Sequence, residues 1–210
     1  MTPSDPAVSA LWLAALLAGA GTPRDDGVDA RRQALRIREG DRAAFRRFFD
    51  ATHADLLRAI RRRGLDLAAA EDVAQRAYVW IWEHRDRIDP SKSLRGLLFR
   101  IGLTRGLNHL RDTARLDPLP EFDLPGEREG DPAALADLRQ ALAEAVAALP
   151  ERRRETFQLC FFDGLTHREA AEVMGVSHRT VEHQMGHALG AIRARLAPFI
   201  EPEQKNSARE

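Results

Sequence analysis

Residues 165–196 read LTHREAAEVMGVSHRTVEHQMGHALGAIRARL, and the reading of this stretch decides the fold. Thr166 followed by Glu169 makes a capping box: the hydroxyl caps the start of a helix and the carboxylate reaches back to the cap. That helix is expected to run to Met174, with Gly175 as the left-handed residue at its end. Ser177 caps the next helix. A three-residue Gly-Val-Ser connection with its glycine in place is what a helix-turn-helix requires. Ala171, four residues before Gly175, is small enough to let the two helices approach closely. The second helix should bury Val181, Met185, Leu189, Ile192 and Leu196. At about 100° per residue, His183 lies roughly 200° and His187 roughly 240° from Val181, so both face away from the core. Arg179 and Glu182 share that outer side, and His178 sits at its N-terminal end. In a helix-turn-helix, the N-terminal part of this face enters the major groove.

Within the same stretch, His183-Gln-Met-Gly-His187 imitates the His-Glu-x-x-His motif of zinc proteases, since residues four apart on a helix share a face. Gln184 replaces the glutamate that serves as general base in those enzymes and cannot accept a proton. Glu182 lies on a different side of the helix, and no later histidine supplies a third ligand. The two histidines are therefore expected to be a surface pair. No metal and no cofactor are expected, nor any small-molecule substrate, and the chain is read as a non-enzyme.

Composition points the same way. The chain is 210 residues long, 44% apolar and only 6% aromatic, and its Ala, Leu, Arg and Glu favour helices. No alternating strand pattern and no repeat of about 20–50 residues stands out. One cysteine, Cys160 in FQLCFF, excludes an internal disulfide and reads as a buried thiol of a cytoplasmic protein. A net charge of zero hides an asymmetry. Residues 28–116 carry 20 Lys+Arg against 12 Asp+Glu, whereas residues 117–149 carry 2 against 8. A basic block suggests a polyanionic partner, and an acidic segment following it competes for that surface or is simply solvated. The apolar AVSALWLAALLAGAG near the start is short for a membrane span and lacks the positive flank of a signal peptide.

The basic block is expected to be helical throughout. Gly40-Asp41 should separate two helices and Gly64 should end the second. LAAAEDVAQRAYVWIWEHRDRI reads as a third, with Val73, Ala77, Trp80 and Ile81 on one face and Asp89-Pro90 as its end. SLRGLLFRIGLTRGLNHLRDTAR reads as a fourth, with Leu94, Leu97, Leu98 and Ile101 as its apolar stripe. Gly96, Gly102 and Gly106 each weaken that helix by about 1 kcal/mol relative to Ala, so tertiary packing must hold it. LDPLPEFDLPGEREGDP, with four prolines and two glycines, reads as a linker.

The two helical blocks, in this order, resemble the extracytoplasmic-function sigma factors of the sigma-70 superfamily. GDRAAFRRFFDATHADLLRAIRRRG is similar to region 2.1 and AAAEDVAQRAYVWIW to region 2.2, where Ala70, Glu71, Asp72, Gln75 and Trp82 match the usual pattern and Tyr78 replaces a Phe. LLFRIGLTRGLNHLR is similar to regions 2.3–2.4 through Leu98, Ile101, Asn108 and Arg111. LPERRRETFQLCFFDGLTHREAAEVMGVSHRTVEHQ is similar to region 4. The chain departs from the pattern at Arg76, where an acidic residue is usual, at Leu97 for Trp and at Thr104 for Asn.

The resemblance implies an all-α protein with two helical domains joined by a flexible linker. Residues 1–27 would be an extension, disordered or a loose helix, or an upstream misread frame before a natural start at Val28. Residues 28–115 would form the region 2-like domain, 116–132 the acidic linker, 133–197 the region 4-like domain and 198–210 a disordered tail. It implies transcription initiation at a subset of promoters, with core RNA polymerase (β′ clamp and β flap), promoter DNA and an anti-sigma factor as partners. Asp72, Gln75, Arg76, Tyr78 and Trp82 would meet the polymerase. Thr104, Arg105, Asn108 and Arg111, with the loop from about Glu83 to Ser93, would open the −10 element. Arg168, Ser177, His178, Arg179, Thr180, Glu182 and His183 would read the −35 element. Tyr78, Trp80 and Trp82 also look like an aromatic platform for single strands, although Trp80 shares a core stripe. The arginine runs at 61–63 and 152–154 read as solvated faces, or as phosphate or polymerase contacts. A free-standing helix-turn-helix regulator is the alternative.

Overall fold

The computed structural model describes residues 27–113 and 132–200. Among them the chain is helical, with no strand. The first block contains α1 (Gly27–Arg38), α2 (Arg42–Arg61), α3 (Leu67–Glu83) and α4 (Leu94–Asp112). The second contains α5 (Pro132–Ala147), α6 (Glu151–Phe157), α7 (His167–Met174) and α8 (His178–Ile200). The sequence readings of residues 1–26, most of the linker and the last ten residues lie outside the described residues.

Local chemistry sets the boundaries. Gly40 has φ +88° and Gly64 +99°, conformations that cost a side chain dearly. Asp41 and Asp66 then cap α2 and α3 by accepting from Ala44 N and Ala69 N, at 2.9 and 2.8 Å. The Ala44 N–H and the neighbouring Arg36 hold the Asp41 carboxyl below its ordinary range. α3 stops at Glu83, earlier than Asp89-Pro90 suggests. His84 leaves helical geometry, and both its N–H and its Nδ1 lie 2.9–3.0 Å from Trp80 O. A 3-10 turn, Arg85–Arg87, follows and delivers Ile88 into the core. At the other end, α8 continues through Pro198 to Ile200, because a proline in the last turn forfeits a single backbone hydrogen bond.

The core of the first block is Phe48, Leu56, Ile60, Val73, Ile81, Leu98 and Phe99; that of the second is Leu142, Val146, Phe157, Leu159, Met185, Ile192 and Leu196. Full burial of one such side chain contributes about 1.5–3 kcal/mol. The two cores are continuous, because α7 packs directly against α4. The α4 glycines explain themselves here. A Cβ on Gly102 would stand 2.9 Å from Leu56 Cδ1, and one on Gly96 would stand 2.9 Å from Glu172 Oε2 and 3.5 Å from Glu169 Cα. Helix propensity is given up for close approach: Gly102 admits α2 and Gly96 admits α7.

One feature of the second block has no counterpart in the sequence reading. Residues Gln158–Phe162 form a π-turn after α6. It stacks Phe157 on Phe161 at 4.8 Å, buries Cys160, and turns Asp163 inward. Burial, with Asp163 and Glu169 nearby, pushes the Cys160 thiol up to about 12.

Candidate nucleic-acid interface

The helix-turn-helix forms as its sequence specifies. Thr166 Oγ1 accepts from Glu169 N at 3.2 Å and Glu169 Oε2 accepts from Thr166 N at 2.9 Å, completing the capping box. Gly175 adopts φ 66°, ψ 33°, and its N–H bonds back to Ala171 O. Ser177 Oγ accepts from Thr180 N at 3.1 Å and starts α8. Val181, Met185, Ile192 and Leu196 are buried as read from the periodicity; Leu189 is half-buried and Ala188 takes the deeper position. Ser177, His178, Arg179, Glu182 and His183 are exposed along one side of α8, with Thr180 half-buried beside them. His178 Nδ1 lies 3.6 Å from Glu182 Oε2.

HQMGH also resolves. His183 and His187 are exposed and approach each other at 3.1 Å between their Nε2 atoms. Gln184 Oε1 accepts from the Thr156 hydroxyl at 2.6 Å, so this residue fastens α8 to α6.

On α4, Thr104, Asn108 and Arg111 are exposed at positions i, i+4 and i+7, with Arg105 half-buried alongside. Leu107, 45% exposed, lies among them. On α3, Asp72, Gln75, Arg76 and Trp82 share a face, and Arg76 pairs with Asp72 at 3.0 Å. Tyr78 does not belong to it. It is 4% exposed, its hydroxyl lies 2.7 Å from Thr52 Oγ1, and Phe49 packs on its ring at 4.7 Å. The expectation that Tyr78 meets the polymerase is corrected: it lies about 120° around the helix from Asp72, on the side that packs on α2. Nor do the three aromatic residues form one platform. Trp80 stacks on His84 at 4.4 Å, while Trp82 lies against Phe45 and under Arg85. Val79, 47% exposed, stands at the centre of the Asp72–Trp82 face. A lone exposed valine in an apolar run gave no signal of this in the sequence.

The least expected contacts tie the two blocks together. Asp163 is buried, and its carboxylate accepts from Arg63 at 3.1 Å and from Arg62. Burial pushes this carboxyl up, against the pull of Arg63 and Arg62. Two of the three arginines at 61–63 are thus partners of the second block rather than a solvated face. Arg95 reaches Asp163 O, Gly164 O, Asp55 and Glu169, at 2.9–3.4 Å. Ser93 Oγ donates to Glu169 Oε1 at 2.8 Å. Arg168, expected to face DNA, donates to Ser91 O. The capping glutamate of the helix-turn-helix is therefore also the anchor of the α4 N-terminus.

Two family descriptions match the chain in order: Sigma-70 region 2 over residues 48–116 and Sigma-70, region 4 over residues 139–192. The ECF RNA polymerase sigma factor RpoE of Cereibacter sphaeroides is 29% identical over 161 residues, 75% of this chain and 88% of that protein. The RNA polymerase sigma factor NccH of Alcaligenes xylosoxydans xylosoxydans is 29% identical over 185 residues, 81% of this chain and 94% of that protein. The solved structure of CnrH in complex with the cytosolic domain of CnrY superposes with a TM-score of 0.54 at 29% identity, covering 80% of this chain and 97% of CnrH.

The chain belongs to the extracytoplasmic-function sigma factors of the sigma-70 family. Its function is therefore that of a promoter-specificity factor in transcription initiation, not of a free-standing regulator. Among the described residues, no helix is long and apolar enough to cross a membrane.

Proposed function

We propose that three exposed faces divide the work of initiation. The outer side of α8, with Arg179 and Glu182 at its centre, reads the −35 element in the major groove, where Arg suits guanine and Glu suits the cytosine amino group. Thr104, Arg105, Asn108 and Arg111 on α4 engage the −10 element. Asp72, Gln75, Arg76 and Trp82, with Val79 among them, dock on core polymerase; Tyr78 supports this face from inside. The protein acts in the cytoplasm at the nucleoid and carries out no catalysis of its own. An anti-sigma factor is a fitting regulator: the similar CnrH was solved bound to another protein, the cytosolic domain of CnrY, and the sigma factor RpoE from Bartonella quintana was solved with the anti-sigma factor NepR.

The observation that carries this reading is the coexistence of a complete helix-turn-helix and a separate polar α4 face in one chain. The two cannot both be used while α7 rests on α4. Elements at −35 and −10 lie roughly 25 base pairs apart, about 85 Å of B-form DNA at about 3.4 Å per pair. Residues 114–131 have a reach of at most about 60 Å when extended, so both elements come within range only when the blocks separate. The arrangement with Arg168 on Ser91 and Ser93 on Glu169 is thus the resting state, and promoter engagement opens it. Replacing the −35 sequence of a responsive promoter tests the assignment. Wild-type initiation should fall, and Arg179→Ala and Glu182→Ala should each reduce initiation on the intact promoter by the equivalent of about 1–3 kcal/mol. Normal initiation by both variants would remove the groove assignment.

A further inference from the structure

The helix-turn-helix carries a set of ligand-type side chains apart from HQMGH. A ring nitrogen of His167, a ring nitrogen of His178 and a carboxylate oxygen of Glu182 lie within 4.8 Å of one another. Among the described residues this is the one such group of three. The three come from both helices of the motif. His167 opens α7 directly after its cap Thr166, while His178 opens α8 and Glu182 follows one turn on. The rings of His167 and His178 are 5.9 Å apart. His167 Nε2 is shielded from solvent and has no hydrogen-bond partner. A buried polar atom left in that condition is unfavourable, and a bound ligand can satisfy it.

We propose that His167, His178 and Glu182 bind a divalent transition-metal ion of the zinc or nickel type, and that the bound ion blocks −35 reading. Two imidazoles and one carboxylate suit these ions rather than magnesium or calcium. Three protein ligands leave a further position for water. Ligand bonds of about 2.0–2.2 Å place ligand atoms roughly 3.3 Å apart in tetrahedral geometry. The present spacing closes to that by rotation of His178 and Glu182, which are exposed, toward the partly buried His167. Ligation holds His178 and Glu182 against the turn and takes both from the base edges. This second half rests on the −35 assignment above; the metal site itself does not. His183 and His187 form only a pair and stand outside the group.

The test uses the full chain, stripped of metal with EDTA and titrated with zinc chloride and nickel chloride by calorimetry. One ion per chain is expected. His167→Gln and His178→Ala should each weaken binding at least tenfold, with unchanged helical circular dichroism, while His187→Ala should change it less than twofold. In reconstituted holoenzyme, saturating zinc should lower −35-dependent initiation at least fivefold, reversibly with EDTA, and should have no such effect on His167→Gln. Absence of stoichiometric binding, or binding lost in His187→Ala but kept in His167→Gln, overturns the site whatever happens at a promoter. Stoichiometric binding with initiation unaffected by zinc overturns the blocking role. Failure of the −35 assignment would show separately, as normal initiation by metal-free Arg179→Ala.

Discussion

The carboxylate of Asp163 and the guanidinium of Arg63 are 100 residues apart in sequence and 3.1 Å apart in space. With Arg62 on its other oxygen, Asp163 joins the end of α2 to the turn before α7, and so region 2 to region 4. Breaking a buried pair from one side typically costs about 3–5 kcal/mol, because a charge is left uncompensated. Asp163→Asn should therefore shift the protein toward the open arrangement. Small-angle scattering should show a larger radius of gyration, with helical circular dichroism unchanged. Gly96→Leu should do the same by wedging α7 from α4. Unchanged dimensions in both variants would mean that these contacts do not hold the blocks together.

Val79 is the apolar centre of a face otherwise made of Asp72, Gln75, Arg76 and Trp82. An exposed carboxylate there leaves the core untouched, so Val79→Asp should keep the melting temperature within a degree or two. Affinity for core polymerase, measured by competition against the wild-type protein, should fall about tenfold, equivalent to about 1.4 kcal/mol. Equal competition would move the docking face elsewhere.

Tyr78 is the only tyrosine of the chain, and burial pushes its hydroxyl up to about 12. The folded-state value lies above the unfolded one. The stabilisation it contributes is therefore complete below about pH 10 and is lost as the pH rises from about 10 to 12. Phenolate absorbance at 295 nm should stay low through pH 10 and emerge above it, together with loss of helix. A simple titration centred at pH 10 in folded protein would contradict the burial of this ring.

Thr166→Ala removes one half of the capping box and the hydroxyl that holds Glu169. Loss of such a cap costs about 0.5–2 kcal/mol. Thermal melting should register a loss of that size, and Thr166→Ser should restore most of it. An Ala variant as stable as wild type would show that Ser93 and Arg95 alone position Glu169.

What the sequence made legible was local. Thr166, Glu169, Gly175 and Ser177 each act within four residues of themselves, so the helix-turn-helix could be read directly. The same holds for the breaks at Gly40-Asp41 and Gly64. The α4 glycines signalled that packing must compensate them, without saying by what; Leu56 and Glu172 supply the answer from distant positions. Tyr78 reads equally well as core or surface, because an aromatic ring with one hydroxyl fits both, and the partner that decides it, Thr52, lies 26 residues away. Asp163 left a faint trace, a lone carboxylate amid FFDGL. Its partners lie in another domain, and no periodicity reports a contact of that separation. The His167–His178–Glu182 group escaped for a related reason: His167 belongs to a different helix from the other two.

The most direct measurement is run-off transcription with core RNA polymerase, purified full-length chain and a library of genomic promoter fragments. Discrete transcripts from a small subset of fragments, dependent on both the chain and the core enzyme, are the expected result. Absence of selective initiation, with tight sequence-specific binding of the chain alone to duplex DNA, would contradict it.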